Sequence, residues 1–180
     1  MNRVSPAWML VLCVLLCGCA SHQATRPALA GMVAYAPPQG GCTTQYPSVW
    51  HPVTGTDTLN LAPAQDNSGG KRRLSIDVPY IPFHFPGMMT MGRVQKGFTD
   101  DLQKRYKELH VDSINDQAMA GARAKRIKAT GKEGGTPMAI DAVVAMNHEQ
   151  VYIISSESDQ AGVKAGSAAV DAIINAWQWK

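Results

Sequence analysis

Four side chains with soft donor atoms lie close together in one short segment, HFPGMMTM, and could together bind copper. They are His84, Met88, Met89 and Met91. Thioether and imidazole groups are suited to Cu(I). Methionine is also a flexible side chain that fills gaps in cores and contact surfaces, and ligands this close in sequence would need one particular loop. Packing or a hydrophobic contact is therefore the favoured interpretation, and no metal site is predicted.

The residues that could carry out nucleophilic or acid–base catalysis are scattered along the chain. They include Ser155, Ser156, Ser158, His110 and His148. None of them stands in a nucleophile elbow, in zinc-ligand spacing or beside a paired carboxylate. The glycine pair at 134–135 lacks the lysine and serine that a phosphate-binding loop needs. The sequence therefore predicts no enzyme, no catalytic residue and no cofactor.

Basic side chains form two stretches that could contact an anionic surface. They are Lys71, Arg72 and Arg73, and then Arg123, Lys125, Arg126, Lys128 and Lys132. A solvated strand face is the favoured interpretation, and contact with anionic lipid headgroups or an acidic envelope polymer is the alternative. The chain carries 17 basic and 14 acidic side chains, a balance that argues against a nucleic-acid partner.

The amino terminus has the composition of an export signal. Arg3 precedes an apolar run of 11 residues, from Ala7 to Cys17, which is the length of the hydrophobic part of a signal peptide. A membrane-spanning helix needs roughly 20 apolar residues. Residues 1–18 are therefore predicted to be a signal peptide, and their removal takes away only one charge, that of Arg3.

The end of this run, Leu16-Cys17-Gly18-Cys19, resembles the lipobox of bacterial lipoproteins. The resemblance implies cleavage after Gly18, a diacylglycerol on the thiol of Cys19 and an acyl chain such as palmitate on its amine. Two or more chains anchor a protein stably to a membrane. The resemblance also bears on location. Residue 20 is alanine and not aspartate, which implies that the protein is sorted to the outer membrane and faces the periplasm.

Lipidation would leave one thiol in the mature chain. Cys13 and Cys17 depart with the signal peptide, Cys19 carries lipid, and Cys42 remains. An odd cysteine suggests a mixed or intermolecular disulfide or a tolerated thiol. Because no partner within the chain is available, a hydrophobic core has to hold the fold together.

Residues 19–70 are predicted to be an extended tether between the anchor and a folded domain. Six prolines, six glycines and only three charged residues lie between positions 20 and 70, and no helical or alternating pattern lasts long. Four large apolar residues do not fit a simple tether. They could pack back onto the domain or form a segment that contacts another molecule, and packing is favoured. They are Tyr35, Tyr46, Trp50 and Val53.

The predicted domain spans residues 71–180 and mixes strands with helices. Apolar residues at Leu74, Ile76 and Val78 alternate with other residues, which indicates a strand. Because proline cannot donate a ladder hydrogen bond, this strand lies at an edge of the sheet or ends at Pro79. Thr99 is the expected N-cap of a helix with an apolar face at Phe98, Leu102, Tyr106 and Leu109.

The second half of the domain has clearer patterns. Residues 139–156 predict a hairpin that turns at 147–150, and residues 117–130 predict two short strands. A final helix is indicated by the helical spacing of Val170, Ile173, Ile174 and Trp177.

Residues 71–180 resemble the PsbP-like α/β/α sandwich proteins. The resemblance is carried by the segment AMAGARA at 118–124, before a lengthening hairpin, and by EQVYII at 149–154 as the returning strand. It implies an α+β fold in which helices flank an antiparallel sheet. It also implies a role in assembly and binding, since that family is largely non-enzymatic and offers no catalytic residues to carry over.

These observations predict a non-catalytic lipoprotein of the cell envelope, whose tethered domain binds another envelope protein or helps to assemble a complex. The alternative is a domain that binds a small apolar ligand or a lipid. Its groove would lie between the sheet and the two helices and be lined by Met88, Met89, Tyr106 and Trp177. The identity of the partner and the oligomeric state are left open.

Overall fold

The structure is a computed structural model that describes residues 30–53, 58–64, 71–79, 89–148 and 150–180. The predicted signal peptide and the lipidation site Cys19 lie outside the described residues. So do two of the four copper candidates, His84 and Met88. The signal peptide and the lipidation of Cys19 stay predictions.

The described residues form ten strands and two helices. In chain order they are β1 (Met32–Tyr35), β2 (Cys42–Pro47), β3 (Trp50–Val53), β4 (Leu59–Pro63), β5 (Arg73–Asp77), α1 (Met91–Arg105), β6 (Lys107–Met119), β7 (Ala122–Glu133), β8 (Thr136–Asn147), β9 (Gln150–Ser158), α2 (Val163–Asn175) and β10 (Gln178–Trp179). Among the described residues, neither helix combines the length and the apolar character that a membrane span requires.

The strands form two sheets in which every pairing is antiparallel. Seven strands lie in the order β3-β4-β5-β9-β8-β7-β6, and three lie in the order β1-β2-β10. Helix α1 packs on one face of the large sheet, and α2 packs on the other face together with β2. The predicted α+β fold, an antiparallel sheet flanked by helices, is therefore confirmed.

Strand β8 shows why this sheet has a core on each face. Its central residues from Ile140 to Ala145 are all buried. Successive side chains of a strand point to opposite faces, so Ala142 and Val144 join the core under α1, while Val143 and Ala145 join the core under α2. A strand covered on both faces is therefore mostly apolar, and its one buried charge, Asp141, is paired with Arg126 at 2.7 Å.

The prediction of an extended tether through residue 70 is wrong for the described residues between 30 and 64. Strands β1 to β4 lie there, and Tyr46 and Trp50 are each 5% exposed in the core under α2. The prolines that suggested a linker occupy positions a strand tolerates. Pro47 and Pro63 are the last residues of their strands, and Pro52 lies in the edge strand β3. The preference for packing over a contact segment is confirmed for these two aromatic residues.

Helix α1 begins nine residues earlier than predicted. Its N-cap is Thr90, whose side chain accepts a hydrogen bond from the Arg93 amide at 3.4 Å. Thr99 lies within the helix and donates to the Lys96 carbonyl at 2.9 Å. Phe98 and Leu102 are buried as expected, but the helix ends at Arg105, so the predicted apolar face does not extend to Leu109.

Four further predictions of secondary structure name elements that are present, and two of these elements differ in length or position. The hairpin at 139–156 is present as β8 and β9, and the helix predicted at the C-terminus is α2. The two strands predicted within 117–130 are much longer than expected, because they are the ends of β6 and β7, which together cover 107–133. Strand β5 ends before Pro79 but lies between β4 and β9, so it is not an edge.

Gly166 marks the closest approach of α2 to the sheet and gives a testable prediction. A Cβ atom at this position would collide with the hydroxyl oxygen of Ser156 and lie 3.1 Å from its Cβ. Gly166→Ala is expected to lower the free energy of unfolding by about 1–3 kcal/mol, because the site is already filled. Urea denaturation followed by circular dichroism measures this change.

The control for this prediction is Gly97→Ala in α1, where a Cβ meets nothing within 4 Å. That substitution should stabilise the protein slightly, since alanine is the better helix former by about 1 kcal/mol. Adding Ser156→Ala to Gly166→Ala should recover part of the loss. Equal effects at Gly166 and Gly97 would contradict the close approach of α2 to β9.

Candidate binding cleft

A polar cleft of about 460 Å³ opens beside α1 on the face of the large sheet that this helix covers only in part. Helix α1 contacts β6, β7 and β8. Side chains of β4, β5 and β9 form the floor of the cleft, and the last turns of α1 form one wall. The cleft is therefore bounded by regular elements.

The floor is a row of hydrogen-bonding side chains on three adjacent strands. Asn60 of β4 lies opposite Ser75 of β5, which lies opposite Ser155 of β9. The hydroxyl oxygens of Ser75 and Ser155 are 2.8 Å apart. Because side chains directly opposite each other in a sheet share a face, the three present an amide and two hydroxyls to the same side.

A buried carboxylate closes one end of the row. Glu157 pairs with Arg73 across β5 and β9, and its side chain is 6% exposed. Arg73 Nη2 donates to Glu157 Oε2 at 2.8 Å, Tyr106 Oη donates to the same oxygen at 2.6 Å, and Arg105 Nη1 lies 2.7 Å from Glu157 Oε1. Glu133 adds a second carboxylate 3.0 Å from Arg73. The cluster contains two guanidinium groups and two carboxylates, so its formal charge is zero.

The charges of this cluster are fixed by their neighbours. Burial alone would raise the pKa of Glu157, but Arg105, Tyr106 and Arg73 more than offset it and hold that pKa below its usual value. Burial and the charge of Glu157 raise the pKa of the Tyr106 hydroxyl. Glu157 is therefore ionised and Tyr106 neutral at neutral pH, and both are engaged with protein groups.

The opposite end of the row carries a carboxylate with a different environment. Asp77 Oδ1 accepts a hydrogen bond from Thr58 Oγ1 at 2.9 Å. Within the part of the chain that the structure describes, Asp77 forms no ion pair. Asp77 and Arg73 are four residues apart on β5, which separates the two ends of the cleft by about 13 Å at ~3.3 Å per residue.

The wall from α1 adds both apolar and charged groups. Phe98 is 8% exposed and lies at the base of the wall. Lys104 and Asp101 form an exposed pair at 2.8 Å. Arg105 stacks over the ring of Tyr106, with its guanidinium carbon 5.4 Å from the ring centre, which holds the guanidinium at the end of the row.

Glu157 itself is poorly suited to act as a general acid or base at neutral pH. A general acid or base needs a pKa near the working pH, whereas the pKa of Glu157 is lowered away from neutrality. Among the described residues, no three histidine, cysteine, aspartate or glutamate side chains are grouped as a metal site would need. What the cleft offers a ligand is a set of hydrogen-bond donors and acceptors with charged groups at both ends.

The groove predicted for an apolar ligand does not exist as proposed. Tyr106 lies in the core under α1, and Trp177 lies in the core under α2. The sheet separates them, so they cannot line one groove. Met89 packs against the core on the α1 side, and Met88 lies outside the described residues.

The basic stretches are largely paired with acidic side chains. Arg72 lies 2.9 Å from Asp159, Lys125 lies 2.8 Å from Asp116, and Lys132 lies 2.6 Å from Glu108. Arg126 bridges Asp141 of β8 and Asp171 of α2. These contacts support the solvated strand face over an anionic-surface contact.

The candidate catalytic residues are not brought together. Ser155 faces the cleft, whereas Ser156 and Ser158 point to the other face of the sheet, where Ser156 lies against Gly166. The side chain of His110 is 78% exposed. Cys42 is fully buried, and burial raises the pKa of its thiol to about 12, which makes it an unreactive thiol.

Sequence reasoning did not identify the cleft. The available signal was weak: in β9 a glutamate, Glu157, follows the apolar run from Val151 to Ile154 and lies among serines. Such a charge needs a partner. The partner could not be assigned, because Arg73 and Glu157 are 84 positions apart.

No family model matches the sequence, and no curated protein matches it. Solved structures match its fold. The chain is similar to cyanobacterial PsbP (CyanoP) from Synechocystis sp. PCC 6803, with a TM-score of 0.60 and 13% identity, covering 86% of this chain and 95% of that one.

Two further structures are similar over most of their length. LpqN, involved in cell envelope biogenesis of Mycobacterium tuberculosis, has a TM-score of 0.57 at 10% identity, covering 82% of this chain and 89% of that one. The Saccharomyces cerevisiae Ran-binding protein Mog1p has a TM-score of 0.56 at 7% identity, covering 82% and 95%. The predicted PsbP-like fold is confirmed, and at these identities the likeness concerns the fold alone.

Proposed function

We propose that this chain is a non-catalytic lipoprotein of the cell envelope, held on the outer membrane by lipid on Cys19, and that it binds an envelope protein through the polar cleft. The observation that carries the proposal is the cleft of about 460 Å³, whose floor holds Asn60, Ser75 and Ser155 between two charged ends. A protein surface offers the complementary hydrogen-bonding groups along its main chain.

Two further observations support a binding role. The buried charges of the cleft neutralise each other, so Glu157 is held as an ion-paired anion and is unsuited to proton transfer. The fold is also that of LpqN, which is described as involved in cell envelope biogenesis. The lipobox resemblance at Leu16-Cys17-Gly18-Cys19 supports the location.

Site-specific photo-crosslinking in intact cells tests the binding role. A photoreactive amino acid is placed at Asn60 in the cleft and, as the matched control, at Lys164, which is exposed on α2 on the opposite face of the sheet. We expect one stoichiometric protein adduct from position 60 and none from position 164. No adduct from either position, or the same adduct from both, would contradict the use of the cleft.

Replacing Cys19 with serine tests the anchor, because serine cannot form the thioether to the diacylglycerol. We expect the protein to move from the membrane fraction to the soluble fraction of broken cells, since the acyl chains provide the membrane affinity. Cys42→Ala is the control, because Cys42 is buried in the core, and this variant should stay with the membrane. A Cys19→Ser variant that still sediments with membranes would contradict the lipid anchor.

A further inference from the structure

We infer that the cleft takes an extended peptide segment, laid along β5, that presents an acidic group to Arg105 and a basic group to Asp77. The inference rests on the proposed function, since it states what part of a partner protein would occupy the cleft. Both ends have hydrogen-bonding capacity that the described residues leave unused, and the length of β5 from Arg73 to Asp77 fixes the spacing.

Arg105 supplies the donors at one end. Its side chain is 46% exposed, and all of its polar contacts within the described residues are made by Nη1 to Glu157. A guanidinium has five N–H donors in a fixed plane, so Nε and Nη2 remain for an acceptor that enters the cleft. A carboxylate is the acceptor that best matches this planar geometry.

Asp77 supplies the acceptor at the other end. One of its oxygens accepts from Thr58, and none of the described basic side chains lies within ion-pair distance of it. An ammonium or guanidinium group would complete its hydrogen bonding and neutralise its charge. The cleft therefore favours opposite charges at its two ends and a polar, uncharged ligand between them.

The spacing indicates an extended chain. Arg73, whose partner Glu157 also pairs with Arg105, stands about 13 Å from Asp77 along β5 at ~3.3 Å per residue. A peptide laid along this strand would therefore carry its charged groups about four residues apart. Residues i, i+2 and i+4 of an extended chain lie on one face. A small middle side chain would then face the floor, and the main chain could hydrogen-bond with the half-buried side chain of Ser75.

Peptide titration of the full chain in detergent micelles tests the inference. The probes are acetylated and amidated pentapeptides EASAK and KASAE, since either direction along β5 is compatible with the charges. The neutral peptide QASAQ and the spacing control EKASA serve as comparisons. We expect one of the two probes to bind about tenfold more tightly than both controls, with shifts in the amide signals of Ser75 and Ser155.

A double-mutant cycle locates the basic group. Two peptides are titrated, the probe that binds and the same probe with glutamine in place of lysine. Each dissociation constant is measured with the original chain and with the Asp77→Asn variant. We expect the preference for lysine to disappear in the variant. A preference that survives Asp77→Asn, or probes that bind no better than QASAQ, would overturn the inference. A neutral disaccharide that shifts the same amides with higher affinity would overturn it in favour of a sugar site.

The two proposals fail in distinguishable ways. A protein adduct from Asn60 together with peptides that show no charge preference would overturn the peptide inference and leave the proposed function standing. No adduct and no peptide binding would remove both.

Discussion

Replacing Trp50 with alanine is expected to lower the free energy of unfolding by about 3–5 kcal/mol, the range for truncating a buried large aromatic side chain. Trp50 is 5% exposed and belongs to the core between the sheet and α2. Its partner in the neighbouring strand is Pro63 of β4. Urea denaturation followed by far-ultraviolet circular dichroism measures the change without relying on the fluorescence of the residue that is removed.

The matched control is His51→Ala, at the next position of the same strand, where the side chain is exposed. We expect a change within about 0.5 kcal/mol, as for most surface substitutions. The comparison tests whether residues 50–53 form a strand of the domain or part of a tether. In a tether, both substitutions would leave the free energy of unfolding unchanged. Equal and small effects at the two positions would contradict the structure of this segment.

Replacing Glu157 with glutamine is expected to lower the free energy of unfolding by about 2–3 kcal/mol at neutral pH. Removing one member of a buried ion pair leaves its partners without compensation, and the loss is moderated here because Arg73 and Arg105 are partly exposed. Glu133→Gln is the control. Glu133 is 34% exposed and pairs with the same Arg73, so its replacement should cost less than about 1 kcal/mol.

The loss at Glu157 should depend on pH with a definite sign. The pKa of this carboxyl is lower in the folded protein than its ordinary value of 4.5. A lowered pKa contributes stability that is present above the unfolded value and is lost as pH falls through the folded value. The difference in stability between the original chain and Glu157→Gln should therefore be constant from pH 7 to about 5 and shrink below pH 4.5. A difference that grows on acidification would show that Glu157 is not held as a buried anion.

The sequence was informative where a segment's partners are close in the chain. The hairpin of β8 and β9 has a turn of two residues between its strands, and the helical spacing of Val170, Ile173 and Ile174 depends on that helix alone. Alternation and helical periodicity report these elements directly. The α+β class follows from their order, and the structure confirms it.

The sequence was uninformative where the place of a strand in the sheet depends on pairing with a strand that is distant in the chain. Pro79 left open whether β5 lies at an edge or ends there. The strand ends at Asp77, and β9 covers its second side from about 80 residues away. Strands β1 to β4 are short and rich in proline, so their apolar residues form no period that a window could detect. The start of α1 was misplaced because Thr99 and Thr90 are both acceptable N-caps, and only Thr90 lies where the helix begins.

The cleft belongs to the same class of non-local features. Its floor is assembled from β4, β5 and β9, and its charged end needs Arg73, Arg105 and Glu157 to meet. Each residue taken alone is an ordinary surface charge or hydroxyl. The wrong prediction of a groove lined by Tyr106 and Trp177 has the same origin, since the sequence does not report which face of a sheet a distant aromatic residue will reach.

The small sheet places the two ends of the domain side by side. Strand β2 pairs with β1 on one side and with β10 on the other, where Cys42 lies opposite Trp179 and the amide of Lys180 donates to the Gly41 carbonyl at 3.1 Å. Thr43 of β2 pairs with Gln178 of β10, so this sheet is complete only after segments about 135 positions apart have met. Because such long-range pairing has to pay the entropy of closing a large loop first, the small sheet is expected to form late in folding.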